Sequence, residues 1–147
     1  MRIAGAVTEY NPFHKGHEYH IRKTRENGAD MFAAVMSGNF VQRGEPAIYS
    51  KYTRVRSALS NGADLVIELP LPWAMASAEK SAFGGVYILN ALGCIDTLSF
   101  GSECGDIAAR RKTAEAAVSD AVTAEMKKQL ADGVSFPAAR QAAVASE

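Results

Sequence analysis

The stretch Arg2-Ile3-Ala4-Gly5-Ala6-Val7 runs straight into Thr8-Glu9-Tyr10-Asn11-Pro12-Phe13-His14-Lys15-Gly16-His17. Its first part is a short, continuous apolar run bounded by turn residues, the pattern of a buried strand. From Gly16 to Asn27 the pattern is helical, and Gly28 is a natural stop. A strand that turns abruptly into a helix through a loop holding Pro12 and Gly16 is the opening of a nucleotide-binding α/β unit. Gly16 lets backbone approach a phosphate closely. The helix start offers N–H groups and the positive end of a dipole.

Reading outward, the same alternation repeats. Met31–Met36 is a second apolar strand, and Ser37–Tyr49, with two glycines and a proline, is a loop. Ser50 caps a helix to about Ser60, ended by Asn61-Gly62. Leu65–Leu69 is a third strand, Ser77 to about Leu92 a third helix stopped by Gly93, and Thr97–Phe100 a short fourth strand. Continuous apolar strands alternating with helices predict a Rossmann-like, doubly wound parallel sheet covered on both faces. Ligands of such sheets sit at the carboxyl ends of the strands. That rule selects Thr8–His17, Ser37–Gly44, Glu68–Trp73 and Gly101–Gly105 as one rim. After Asp106 the chain is rich in alanine and charge, without strand signal. One or two helices broken near Ser119-Asp120 are expected, then another capped by Ser135 with Pro137 in its first turn. The expected organisation is therefore an α/β domain over 1–105 and C-terminal helices over 106–147.

Composition narrows the class. The 147 residues suffice for a core without disulfides or a structural metal. Lys and Arg number 16, as do Asp and Glu, so no overall charge advertises a nucleic-acid partner, although a local basic face is compatible with it. Cys94 and Cys104 read as two free thiols of a reducing compartment. The N-terminal apolar run is too short for a signal peptide, and Leu65–Ala78 is broken by Glu68, Pro70 and Pro72. A cytoplasmic location without membrane contact is expected.

His14 and His17 lie three apart across the first turn. Each imidazole can donate to phosphate oxygens, with most effect on the charge that grows when an α-phosphate is attacked. The alternative is that both merely cap the helix. His20 lies one turn further on, as ligand or as plain helix histidine. The three histidines lack a carboxylate or thiol at matching spacing, so no metal site is expected. On the remaining rim, Arg43 can fork onto an oxyanion, with Ser37, Gly38 and Asn39 in the same loop. Glu68 can hold Mg²⁺, position a substrate amine or cap a neighbouring backbone group. Lys51 and Arg54 read as a solvated basic face, and Trp73 as core, with a stacking surface for a base as the alternative. Arg110-Arg111-Lys112 and Lys127-Lys128 read as solvated helix charges.

Thr8–His20, TEYNPFHKGHEYH, resembles the signature of the tRNA(Met) cytidine acetate ligase family, within the HIGH-type nucleotidyltransferases. The resemblance continues in MSGNFVQRGEPA (36–47), KYTR (51–54), NGADLVIELP (61–70), SAE (77–79), ILNALG (88–93), FGSE (100–103) and SFPAAR (135–140). It implies activation of acetate by ATP, with Mg²⁺, to acetyl-adenylate and pyrophosphate. The acetyl group then passes to the wobble cytidine of elongator tRNA(Met). It carries the family's ATP loop onto Val7–His20, so that Glu18, Tyr19 and His20 join the residues already named, and its later glycine contact onto Gly101. Family members are far longer, and their remaining ATP contacts, an asparagine and an arginine, fall beyond residue 147. The expectation is a chain carrying the ATP-binding half. A small-molecule adenylyltransferase and a non-catalytic nucleotide- or tRNA-binding domain are the alternatives.

Overall fold

The computed structural model describes residues 1–102 and 105–146. They form two compact units, Met1–Gly101 and Ser102–Glu147.

In the first unit four strands make one parallel sheet: β1 (Ile3–Thr8), β2 (Met31–Ser37), β3 (Leu65–Leu69) and β4 (Thr97–Leu98), in the order β3-β2-β1-β4. The helices between them are α1 (Lys15–Glu26), α2 (Lys51–Ser60), the short α3 (Leu71–Ala74) and α4 (Ala78–Ala91). The expected doubly wound α/β architecture is thus observed. The sequence reading did not foresee α3, which Pro70 and Pro72 open at its N-terminal end.

The alternation of β2 shows how both faces are buried. Phe32, Ala34 and Met36 join Ala4, Ala6, Ile21 and Ala58 in a core beneath α1 and α2. Val35 joins Leu69, Ala74 and Leu89 in a second core beneath α3 and α4. Successive residues of one strand thus serve opposite faces, which is why the run reads as unbroken apolar sequence. Close approach of α4 to the sheet needs glycine. A Cβ on Gly5 would lie 2.7 Å from Leu89 Cδ2, and one on Gly85 would lie 2.5 Å from Val7 Cγ2.

The chain runs from β1 to β2 to β3 in one direction, then returns to place β4 on the other side of β1. The order reverses between β1 and β4, and ligands of open parallel sheets bind outside the strand ends at such a reversal. The loop after β1 begins with Glu9, and the segment after β4 leads to Gly101.

The second unit holds α5 (Ile107–Ala117), α6 (Asp120–Ala131) and α7 (Phe136–Ala145). Asp106 caps α5 and Ser119 caps α6 through their side chains, the break expected near Ser119-Asp120. Among the described residues, no helix is long and apolar enough to cross a membrane.

Candidate functional site

The loop after β1 is built around its histidines. His14 is the N-cap of α1 and its Nδ1 accepts a hydrogen bond from the Gly16 amide at 3.1 Å. The ring of His17 reaches back, and its Nδ1 accepts from the His14 amide at 3.2 Å. This is a capping box written in imidazoles. Each Nδ1 acts as an acceptor, so each neutral ring carries its proton on Nε2. The two rings stack, with centroids 3.7 Å apart and planes at 27°. Tyr10 and Phe13 flank His17 with centroids at 4.9 and 5.5 Å.

Helix capping and phosphate binding were alternatives in the sequence, but they use different nitrogens of the same rings. The Nδ1 atoms cap, and the Nε2–H groups remain as donors. The Gly16 amide donates to His14 Nδ1. A Cβ on Gly16 would lie 2.9 Å from His14 Cε1, so the glycine makes room for the ring itself.

Burial, together with the neighbouring His14 and His20, pushes the His17 imidazole down to about 4. Near neutral pH His17 is therefore an uncharged Nε2–H donor. Burial also lowers His20. That ring turns away from the cap: its Nε2 lies 2.9 Å from Ser99 Oγ, just beyond β4, and Thr24 Oγ1 lies 2.6 Å from the same oxygen. His20 and Thr24 thereby tie α1 to the end of β4 across the reversal point.

The loops after β1 and β2 are joined by side chains from the loop sequences themselves. Glu9 Oε1 accepts from the Gln42 amide at 3.0 Å, and Asn11 Oδ1 from the Ile48 amide at 2.7 Å. Asn39 Oδ1 accepts from the Lys51 amide at 3.2 Å, which fixes the start of α2. Arg54 completes the joint. Sequence placed it on a solvated face, yet it is 1 % exposed. Its guanidinium donates to the carbonyls of Tyr49 at 3.1 Å, Glu9 at 2.6 Å, Ser37 at 3.1 Å and Gly38. Burial lowers its pKa, while the carboxylates of Glu9 and Glu68 favour its charge. A planar fork with five N–H donors suits such a junction, where lysine would not. The signal in the sequence was Ala58, four residues on and buried on the same stripe of α2.

The other expected rim residues take varied places. Ser37 is buried at the end of β2. Arg43 sits exposed with φ 63° in a 3-10 turn, Gln42–Gly44. Val7 packs against α4 at Gly85. Asn11–Pro12 is a cis peptide. Lys15, Glu18 and Tyr19 lie on the exposed side of α1, where Arg22 and Lys23 stand over the Tyr19 ring at 5.2 and 5.8 Å. Gly101 has nothing within 4 Å of an added Cβ. Trp73, expected in the core, is 38 % exposed and packs on Gly84. Cys94 is an exposed free thiol. Glu103 and Cys104 lie outside the described residues.

Glu68 ends β3 beside Gly38 and forms an ion pair with Lys51, Oε2 to Nζ 2.7 Å. This pairing, which raises the Lys51 pKa, was not legible from spacing. Among the described residues no group of three His, Cys, Asp or Glu side chains is arranged to hold a metal ion.

The family model described as HIGH Nucleotidyl Transferase matches residues 1–147. The tRNA(Met) cytidine acetate ligase of Caldicellulosiruptor bescii is 51% identical over 147 residues, covering 98% of this chain and 36% of that protein. The ligase of the same name from Clostridium perfringens is 48% identical, covering 98% of this chain and 37% of that protein. Among solved structures, Thermotoga maritima TmcAL bound with alpha-thio ATP superposes with a TM-score of 0.88 at 44% identity, covering 98% of this chain and 36% of that one. The apo form of the same protein also superposes at 0.88. The chain thus spans little more than a third of the length of these relatives.

Proposed function

The chain belongs to the HIGH nucleotidyl transferase family, and from that premise we propose that it binds ATP at the His14–His17 cap as the nucleotide-binding part of a tRNA(Met) cytidine acetate ligase. The observation that carries this reading is the pair of stacked imidazoles whose Nδ1 atoms are both engaged by backbone amides. Two Nε2–H donors are thereby preorganised at the start of a helix, beside the reversal point of the sheet. A relative of 44% identity carries an ATP analogue in its crystal structure.

In the proposed reaction a carboxylate oxygen of acetate attacks the α-phosphorus of ATP. The bond to the bridging oxygen breaks, and pyrophosphate leaves with the electron pair. Negative charge accumulates on the α-phosphate oxygens and on the leaving group. Donors held in place before reaction stabilise that charge without reorganising. His14 and His17 serve this role, and the dipole of α1 has the same sign. The exocyclic amine of the wobble cytidine of elongator tRNA(Met) then attacks the acetyl carbonyl. AMP departs, and the amine loses one proton. Glu68 is engaged by Lys51, so Mg²⁺ would be held by the triphosphate oxygens, whose charge it would neutralise.

The test has two parts. Titration with ATP and Mg²⁺ should saturate, and the double change His14→Ala, His17→Ala should abolish binding. Unchanged affinity in that double variant would remove the site. In a polypeptide with the length of the relatives, ATP–pyrophosphate exchange should depend on acetate. Exchange that requires a phosphorylated small-molecule acceptor instead would favour an adenylyltransferase.

A further inference from the structure

A cavity of about 350 Å³ opens at the carboxyl end of β3, lined by Met36, Lys51, Tyr52, Val55, Val66 and Glu68. It lies on the α2 face of the sheet, apart from the histidine cap. Its floor is apolar and its wall carries the Lys51–Glu68 pair. Tyr52, 72 % exposed, lines it as well, and Lys51 Nζ is 5.6 Å from the Tyr52 ring centroid. The volume is at the small end of ligand pockets, too large for acetate alone and suited to a nucleoside.

The charges select the kind of ligand. An anion drawn to Lys51 would meet the Glu68 carboxylate 2.7 Å from the same ammonium. The pair is neutral as a unit, so the cavity favours an uncharged ligand with a donor for Glu68 and an acceptor for Lys51. An exposed aromatic ring beside such a pair is a platform for a flat heterocycle. We propose that this cavity receives the cytosine base, with Glu68 accepting from the exocyclic amine, Lys51 donating to the ring N3 or O2, and Tyr52 stacking on its face. Uracil reverses the pattern, because its O4 acceptor would face the carboxylate.

Register places the cavity in reach of the nucleotide loop. Thr8 pairs with Met36, and Met36 pairs with Glu68, in one row across three parallel strands. At about 4.8 Å between strands, Glu68 stands about 10 Å from the start of the histidine loop on the same rim. Lys51 and Glu68 also belong to the joint that orders both loops, through the Asn39 bond to the Lys51 amide and the approach of Glu68 to Gly38.

The inference rests on the proposed acceptor, but its test contains neither ATP nor acetate. The 147-residue chain is titrated with cytidine, uridine and adenosine, and the methyl NMR signals of Met36, Val55 and Val66 are followed. Cytidine should shift these signals saturably and bind roughly tenfold or more tightly than uridine. Glu68→Gln, whose carboxamide can donate to O4, should narrow that ratio, and Tyr52→Ala should weaken both nucleosides by about fivefold or more. Tyr52 is exposed, so that variant should retain the wild-type thermal transition. Shifts confined to other residues, equal binding of uridine, or adenosine matching cytidine at these methyl groups would overturn the proposal. Cytidine binding without acetate-dependent exchange would leave the cavity standing and sink the ligase reading. Exchange without cytidine binding would do the reverse.

Discussion

Replacing Arg54 with methionine should be among the most damaging single changes in the first unit. Arg54 is 1 % exposed and its guanidinium serves four carbonyls from three segments: Glu9 after β1, Ser37 and Gly38 at the end of β2 and just beyond it, and Tyr49 before α2. A hydrogen bond to a charged group contributes about 1.5–3 kcal/mol net. Simple addition over four would overshoot, because such bonds share one donor group and water can enter near a loop. Each buried carbonyl left without a donor costs about 1–3 kcal/mol, so a loss of about 3–5 kcal/mol is expected once water serves some of the four. It would consume a large part of the roughly 5–15 kcal/mol that holds a domain folded. Arg54→Lys keeps the charge but offers one ammonium in place of a fork, so it should lose roughly half as much. Urea unfolding followed by the fluorescence of Trp73, the sole tryptophan, reports on this unit. Under conditions where the variants remain folded, ATP affinity should also fall, because the Glu9 carbonyl anchors the histidine loop. A loss below about 1 kcal/mol for Arg54→Met, or a lysine variant as stable as wild type, would refute the argument that the fork holds the loops together.

Further outcomes are expected. In an NMR titration His17 should protonate near 4 in the free protein, and bound ATP should raise that value, since phosphate charge favours imidazolium; a value unchanged by ATP would separate His17 from the phosphates. Because its folded pKa lies below the unfolded 6.5, the unfolded chain binds more protons between the two. The contribution of His17 to stability should therefore be complete above pH 6.5 and decline as pH falls towards 4, and a His17→Gln variant should lack that component of the acid dependence. In an active, full-length context, His17→Ala should lower kcat by roughly a hundredfold or more with a smaller change in KM; a pure KM effect would confine His17 to ground-state binding. Gly85→Ala should destabilise the first unit by about 1–3 kcal/mol, since the new methyl would meet Val7 Cγ1 and Cγ2 at 2.6 and 2.5 Å; a neutral result in thermal denaturation would show that α4 can move off the sheet.

The sheet was legible because a strand buried on both faces must be apolar at every position, and Met31–Met36 carries that signal without any partner being known. The histidine cap was legible because its parts lie within four residues of one another, so spacing alone sets their geometry. The rest of the site depends on contacts between segments that sequence does not order. Arg54 looked like a surface charge, because the four carbonyls that require it lie 5 to 45 residues away. Glu68 could be read as a rim carboxylate, but not its ion pair, because Lys51 is 17 residues distant on another element. His20 could be read as a ligand or as a plain helix histidine, because the hydroxyl it meets belongs to Ser99, 79 residues on. The three cases share a cause. A polar side chain in a rim loop is assigned by the groups that fold leaves unsatisfied nearby, whereas an apolar side chain in a strand is assigned by its own chemistry. The rim thus carries two kinds of polar residue that look alike in sequence: those that hold loops in place, such as Glu9, Asn11, Asn39 and Arg54, and those with a donor still to offer, such as His14 and His17. Substitution separates them, because loss of the first kind lowers stability foremost, while loss of the second, which also removes a helix cap of about 1 kcal/mol, should lower ATP binding and turnover in a protein that still folds.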